Sequence, residues 1–335
     1  MHEGRSLYRS GLDKGKRSVT VDLSTPEGQK LVVDLITAPG EGGGIALTNL
    51  PVRGWMDFHT LTRRRPDVIM MVISGSSDGR AHVDYTVNAR VGFPLVTGPE
   101  GATAPVNHVL QAWDVTTALF TSTALLAAEL SRRSTGEGQI VTLALEDVAL
   151  TVADRLGYLA EAELIDEPRA RYGNAIYGTY GDDFRTADGR YVMVCALTPR
   201  QWRSLCSATG LTEKFATLEQ STGARLELEG DRFRHRREIT RHIGEWTSAR
   251  TLEEISARFD EHGVLWAPYR SFKEVLRDDP RARSLPLSPL HFSAFAASTP
   301  SAAHEIGADT DGVLREVLDL GDRQIRDLRA NGVID

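Results

Sequence analysis

The run Pro66–Ser74 (PDVIMMVIS) sets six large apolar side chains in succession, Val68 to Ile73, between a proline and a Gly-Ser-Ser turn. A strand with one wet face alternates apolar and polar residues. An unbroken run is buried on both faces, as in a parallel sheet clad by helices. Further strand-like segments stand at Ser18–Leu23 (SVTVDL), Ile45–Asn49 and Gln139–Ala144 (QIVTLA). Helix patterns lie between them. Thr25 caps one that runs to Ile36, with Pro26 in its first turn. A longer one spans about Asn107 to Arg133 and is closed by Thr135-Gly136; another spans Glu146–Glu163. This alternation predicts an α/β fold: a large, open, mostly parallel sheet domain covered by helices.

Near residue 170 the pattern changes. Tyr180–Ala196 reads as a hairpin that turns at Asp188-Gly189. Short helices are expected at about Pro199–Thr209, Arg234–Thr247 and Leu252–His262, which together make a smaller α+β domain. A Ser/Ala/Pro-rich loop, Pro280–Ser301, leads to terminal helices near Thr310–Leu318 and Asp322–Asn331. The expected division is 1–168 for the large domain, 169–278 for the small one, and 279–335 for a return to the large domain. Residues 1–17 carry no strand, although such domains usually begin with one. The expectation is that the first strand and helix of the domain are missing.

The 335 residues are 41% hydrophobic and 25% charged, ordinary globular values, with a net charge of −7. That balance argues against a dedicated nucleic-acid binder, which normally carries a basic face. No run approaches the roughly 20 apolar residues of a membrane span, and Met-His-Glu-Gly-Arg is no signal peptide. The expected location is the cytoplasm. Only five of the 39 basic residues are Lys, a bias that points to genome composition rather than to function. The two cysteines, Cys195 and Cys206, are too few for a disulfide scaffold, lack zinc spacing, and read as packing residues.

Several segments invite a chemical reading. Gly75-Ser76-Ser77-Asp78-Gly79 matches G-x-S-x-G after an apolar strand, but a hydrolase elbow leads straight into a helix, and Arg80-Ala81-His82 follow here. A loop is the better reading. Gly40–Gly44 follows a helix and precedes a strand, the reverse of a dinucleotide loop, and reads as a turn. The basic run Lys14-Gly15-Lys16-Arg17 is either a solvated loop or an attraction for phosphates. His108 lies six residues before Asp114, so the two are not neighbours on one helix face. Asp114 is the most informative carboxylate. It lies in QAWDVTTALF, with Leu110 one turn back and Ala118 one turn on. An ionised group among apolar neighbours costs several kcal/mol unless it is paired or used. It is either a solvated helix-face residue or a site residue.

Taken together these segments resemble the class III CoA-transferases. LDKGKRSVTVDLSTPEGQKLVVDLI is similar to the segment that follows the first unit of that family's large domain. TNLPVRG resembles its nucleotide-contacting turn, HVDYTVNA its tyrosine-bearing helix start, and QAWDVTTAL the stretch with its nucleophilic aspartate. TGEGQIVTLALEDVAL resembles the strand and helix that follow. VDYTVNA, GFPLVTGP, PVNHVLQAWD, YGNAIYGTYGDDF and WAPYR are most similar to a branch that moves CoA between the two carboxyls of one diacid. Val83 stands where the racemase branch has a histidine. The segment between Asp279-Pro280 and Ser288-Pro289-Leu290 is shorter than is usual in the family.

The resemblance implies the following. Asp114 is the nucleophile and forms an aspartyl-CoA thioester. Asn49, Leu50, Arg17, Val21 and Tyr85 contact CoA, and Gly173, Gly178 and Gly181 belong to a substrate loop. Coenzyme A enters as part of an acyl-CoA substrate, a carboxylate is the acceptor, and no metal takes part. The expected assembly is an interlocked homodimer, with neither nucleic acid nor membrane as partner. The alternatives are an intermolecular CoA-transferase that uses a second acid and an inactive paralogue that only binds CoA or a full-length partner.

Overall fold

A computed structural model describes residues 6–283, 289–296 and 299–335. The described chain divides into two compact units. The first draws on Met1–Val91, His108–Glu163 and Leu285–Asp335, the second on Gly92–Asn107 and Leu164–Ser284.

The first unit is built on three parallel strands, β1 (Ile45–Thr48), β2 (Ile69–Ser74) and β3 (Gln139–Ala144), in the order β1-β2-β3. Ile69 lies opposite both Ile45 and Gln139. The middle strand is the continuous apolar run, and Ile69, Met70 and Met71 are fully buried. Met70 packs in one cluster with Val33, Met56, Leu61 and Val68. Val33 comes from the helix Pro26–Ile36, whose N-cap Thr25 accepts the Gly28 amide at 3.0 Å. The other side of that helix gives Leu31 to a second cluster with Leu314, Ile325, Val333 and Ile334. The helices Thr310–Leu318 and Asp322–Ala330 therefore pack where the sequence pattern placed terminal helices.

Three expectations change here. Ser18–Leu23 joins no sheet. Its backbone is held by the C-terminal segment: the Ser18 carbonyl accepts the Asp309 amide at 3.0 Å, Thr20 N–H donates to Thr310 Oγ1 at 3.1 Å, and Asp22 N–H donates to the Val333 carbonyl at 2.8 Å. With those groups taken, no strand ladder forms. The long helix begins at Ala112, not near Asn107, and runs to Thr135, with Gly136 as its left-handed cap. Glu146–Glu163 is two helices, Leu145–Arg155 and Tyr158–Leu164, parted at Gly157, whose φ is +79°. In the loop after β2, a Cβ on Gly75 would stand 2.2 Å from the His82 carbonyl oxygen, so only glycine fits there.

The second unit carries an antiparallel sheet in the order β4 (Tyr180–Arg185), β5 (Tyr191–Ala196), β6 (Leu265–Pro268). The expected hairpin is β4–β5. The sequence pattern did not disclose β6, four residues long. Tyr180, Phe184, Val192 and Val194 cover one face and pack against Trp202, Leu205, Phe215, Ile239, Ile243, Ile255 and Phe259 from the surrounding helices. The helices Pro199–Thr209 and Leu252–His262 open on capping boxes, Thr198 with Gln201 and Thr251 with Glu254. The helix expected over Arg234–Thr247 runs over Arg236–Ser248, and a shorter one, Glu229–Arg234, precedes it. Arg232 is fully buried and donates to the carbonyls of Leu226, Glu227 and Leu197 at 2.8 to 3.0 Å. Cys206 is buried, and burial pushes its thiol up to about 12, while Cys195 is half-buried. Of the loop expected over Pro280–Ser301, Pro280–Arg283 form a helical turn, and 284–288 and 297–298 lie outside the described residues. Among the described residues no helix is long and apolar enough to cross a membrane.

Candidate active site

Open parallel sheets gather ligands beyond the carboxyl ends of their strands. In the first unit β1 runs directly into Asn49 and Leu50, where the Leu50 amide donates to Thr48 Oγ1 at 2.9 Å. β2 runs into the Gly75–Gly79 loop and then into the helix Asp84–Arg90, which begins with Asp84 and Tyr85. β3 runs into Leu145 and Glu146. Ser76 Oγ donates to Glu146 Oε2 and Arg90 Nε to Glu146 Oε1, each at 2.6 Å. Those two bonds, Ser76 first, hold the Glu146 carboxyl below its ordinary range. Ser77, the serine of the G-x-S-x-G match, donates to Asp147 Oδ1 at 3.0 Å and opens no helix. The segment is a loop that ties β2 to the next helix.

Asp114 is the third residue of the helix Ala112–Thr135. The first amides of a helix lack partners within it, and Gln111, which precedes the helix, caps none of them with its side chain. Asp84 does so from another helix. Its Oδ2 accepts the Trp113 amide at 2.7 Å and the Asp114 amide at 3.2 Å. Asp84 is only 2% exposed, and its Oδ1 is buried without a hydrogen bond. One turn on from Asp84, Asn88 Oδ1 accepts the Trp113 indole N–H at 3.1 Å, and both residues are buried. Two helix starts are thus stitched together beneath Asp114. Asp114 itself is exposed, and its carboxyl is raised above the ordinary value, first by partial desolvation and then by the Asp84 charge. The positive end of its helix pulls the other way.

Tyr85 is half exposed, and its hydroxyl accepts Gln111 Nε2 at 2.8 Å. Tyr85, Gln111, Asp84 and Asp114 therefore form one group. His108 stands edge-on to Trp113 with ring centroids 6.3 Å apart. Arg17 and Val21 belong to a different neighbourhood: Arg17 pairs with Glu316 at 2.6 Å, and Val21 packs on the C-terminal cluster. Lys16 pairs with Asp13 at 3.5 Å.

The second unit carries the glycines. Gly173 N–H donates to the Gly98 carbonyl at 3.2 Å, and Ile176 N–H to the Gly181 carbonyl at 3.0 Å. Gly178 has a φ of +79° with open space about its Cα. Tyr172 and Tyr177, on either side of Gly173–Ile176, both pack on Phe233, and the three ring centroids are 5.1 to 5.3 Å apart. The Arg169 guanidinium lies 4.0 Å over the Tyr177 ring. The loop is thereby clasped at both ends. Among the described residues no group of three or more His, Cys, Asp or Glu is placed to hold a metal ion.

Residues 1–285 match CoA-transferase family III. The chain belongs to that family. A 2-methylfumaryl-CoA isomerase of Chloroflexus aurantiacus is 43% identical over 98% of this chain and 85% of its own length. A succinyl-CoA–D-citramalate CoA-transferase of the same organism is 27% identical over 83% of this chain and 68% of its own. Among solved structures, a CAIB/BAIF family protein from Brucella suis superposes with a TM-score of 0.76 at 22% identity, over 94% of this chain and 85% of that one. That likeness concerns the fold. As a family III CoA-transferase the chain is an enzyme, and acyl-CoA is its substrate class. Sequence reasoning singled out Asp114 and Tyr85 but not the Asp84 carboxylate or Gln111 that tie them together. No cap signal disclosed them: with the helix expected to open near Asn107, itself a good cap, only the observed start at Ala112 puts Gln111 at the N-cap and leaves the first amides to a partner from elsewhere.

Proposed function

We propose that this chain isomerises 2-methylfumaryl-CoA, moving CoA from one carboxyl of the diacid to the other, with Asp114 as covalent nucleophile. The 43% identity to a 2-methylfumaryl-CoA isomerase over 98% of the chain carries the reading. The position of Asp114 supports it: an exposed carboxylate at a helix start, beyond the carboxyl ends of the parallel strands, anchored by a buried acid.

The steps balance without ATP. The Asp114 carboxylate adds to the thioester carbonyl and expels CoA thiolate, leaving a mixed anhydride. The thiolate attacks the aspartyl carbonyl, which frees the diacid and leaves an aspartyl-CoA thioester. The other carboxylate of the same diacid attacks that thioester, and the released thiolate then attacks the acyl carbon of the new anhydride. Asp114 returns as a carboxylate. Each addition places negative charge on an oxygen that needs donors. The Gly173, Gly178 and Gly181 segment is proposed to serve as a substrate loop. Asn49, Leu50 and Tyr85 are proposed to contact CoA from the strand ends, and Arg17 and Val21 from the N-terminal segment.

The active assembly is proposed to be a homodimer. Val115, Leu119, Leu126 and Leu130 form a stripe on the outer face of the Ala112–Thr135 helix, and the three leucines are each about two-thirds exposed. Such an apolar stripe calls for a covering partner.

The test is incubation with 2-methylfumaryl-CoA alone. Conversion to the isomeric thioester without added acid, lost in Asp114→Asn, supports the proposal. The similarity to a succinyl-CoA-dependent transferase favours the second reading, intermolecular transfer. Turnover that requires an added free carboxylic acid would establish that reading instead.

A further inference from the structure

A glutamine Nε2 can only donate, so in the 2.8 Å bond between Gln111 and Tyr85 the phenol oxygen is the acceptor. A phenol has one proton to donate. Gln111 leaves that proton unspent and sets the direction from which the oxygen is approached. Gln111 is the N-cap position of the helix whose third residue is Asp114, the two positions that face each other in a capping box. Tyr85 follows Asp84, whose Oδ2 holds the Asp114 amide at 3.2 Å. The same two helix starts are thus joined twice, once through a buried carboxylate and once through an exposed phenol. The buried tie accounts for anchoring. The exposed one is half open to solvent.

We infer that Gln111 is a positioning residue that fixes the Tyr85 hydroxyl as a donor to the acyl oxygen on which charge develops when Asp114 adds. This rests on the assignment of Asp114 as nucleophile. A fixed donor at that oxygen acts on the transition state more than on the bound thioester.

Gln111→Glu tests it, because the side chain keeps its shape but its carboxylate accepts the Tyr85 proton and consumes the donor. The expected result is a fall in kcat of about a hundredfold with KM for the thioester little changed. The ratio of variant to wild-type rate should rise as pH falls, since a protonated Glu donates again. Tyr85→Phe should show a similar loss, and the double variant should be no worse than Tyr85→Phe alone. Gln111→Met, with neither donor nor acceptor, should lose less than Glu and show a ratio independent of pH. If Gln111→Glu folds poorly by thermal melting, the Met variant and the Tyr85→Phe cycle decide. A wild-type rate in Gln111→Glu, a ratio flat with pH, or additive losses overturn the inference. If Asp114→Asn is inactive while Gln111→Glu is unimpaired, this inference alone fails. If Asp114→Asn still transfers CoA, the nucleophile assignment fails and takes the inference with it.

Discussion

Replacing Asp84 separates its two effects on Asp114. In Asp84→Asn the amide oxygen can still accept the Trp113 and Asp114 N–H groups, now 2.7 and 3.2 Å from Oδ2, but the negative charge is gone. In Asp84→Ala both are lost. Loss of an N-cap costs about 1 kcal/mol, and an unpaired buried polar group adds about 1–3. Removing a buried carboxylate whose Oδ1 is unpaired offsets part of that. The Ala variant should therefore lose about 2–3 kcal/mol, a Tm drop of roughly 3–4 °C, and the Asn variant about 1 kcal/mol or less. The pH dependence moves separately. Asp114 must be ionised to attack, so the rate falls as pH drops through its pKa. Desolvation and Asp84 raise that pKa, which places the acid limb above the ordinary carboxylate range. Without the Asp84 charge the limb should shift to lower pH in Asp84→Asn. The stability sign is opposite: a raised folded-state pKa favours the protonated form, so this contribution weakens as pH rises from the unfolded pKa through the folded one. Thermal melts and pH–rate profiles of both variants are the assay. A melt unchanged in Asp84→Ala together with an acid limb unchanged in Asp84→Asn would refute the reasoning.

Asp114→Asn should abolish CoA transfer and any hydroxylamine-sensitive enzyme-bound CoA while leaving the melt near wild type, since the side chain is exposed; a trapped adduct in that variant would place the nucleophile elsewhere. Leu126→Arg, on the exposed stripe of the long helix, should convert a dimer to monomer in light scattering after gel filtration, and a variant that stays dimeric removes that face from the interface. Gly178→Ala meets no neighbour but forces a side chain to φ +79°, at about 1–2 kcal/mol of local strain. If its loop serves the substrate, turnover should fall well before global stability does; equal activity in a folded variant argues against the loop.

What was legible in the sequence was local. β2 is read from six adjacent apolar residues, and the hairpin β4–β5 from the Asp188-Gly189 turn between two strand patterns. Thr25-Pro26 carries its own helix start. What was not legible depends on distant partners. Ser18–Leu23 has strand-like alternation, but its backbone partners lie about 290 to 310 residues away, at Asp309, Thr310 and Val333. The long helix was expected to start near Asn107 because its apolar pattern continues backwards to Val109 and Leu110. Its actual start is fixed by Asp84, thirty residues earlier in the chain. Asp114 stood out as a carboxylate among apolar residues. The group around it did not, because side chains from two helix starts meet there and no spacing within either helix discloses the meeting.

The same geometry bears on why Asp84 is an acid. A neutral Asn would cap the helix nearly as well and would spare the chain a buried carboxylate with an unpaired oxygen. Two of the amides at the positive end of the helix are bonded to Asp84, so less of that positive end remains for Asp114. Asp84 thus weakens the stabilisation of the Asp114 anion and adds repulsion, and both effects raise its basicity. For a carboxylate that must add to a thioester carbonyl at neutral pH, a higher pKa makes a stronger nucleophile while leaving it ionised, provided the pKa stays below the working pH. An uncharged residue at position 84 would keep the helix in place and give up that gain. In the proposed reaction the Asp84→Asn variant should therefore be slower than wild type at neutral pH even though its Asp114 is more fully ionised. A purely structural role for Asp84 predicts no such loss.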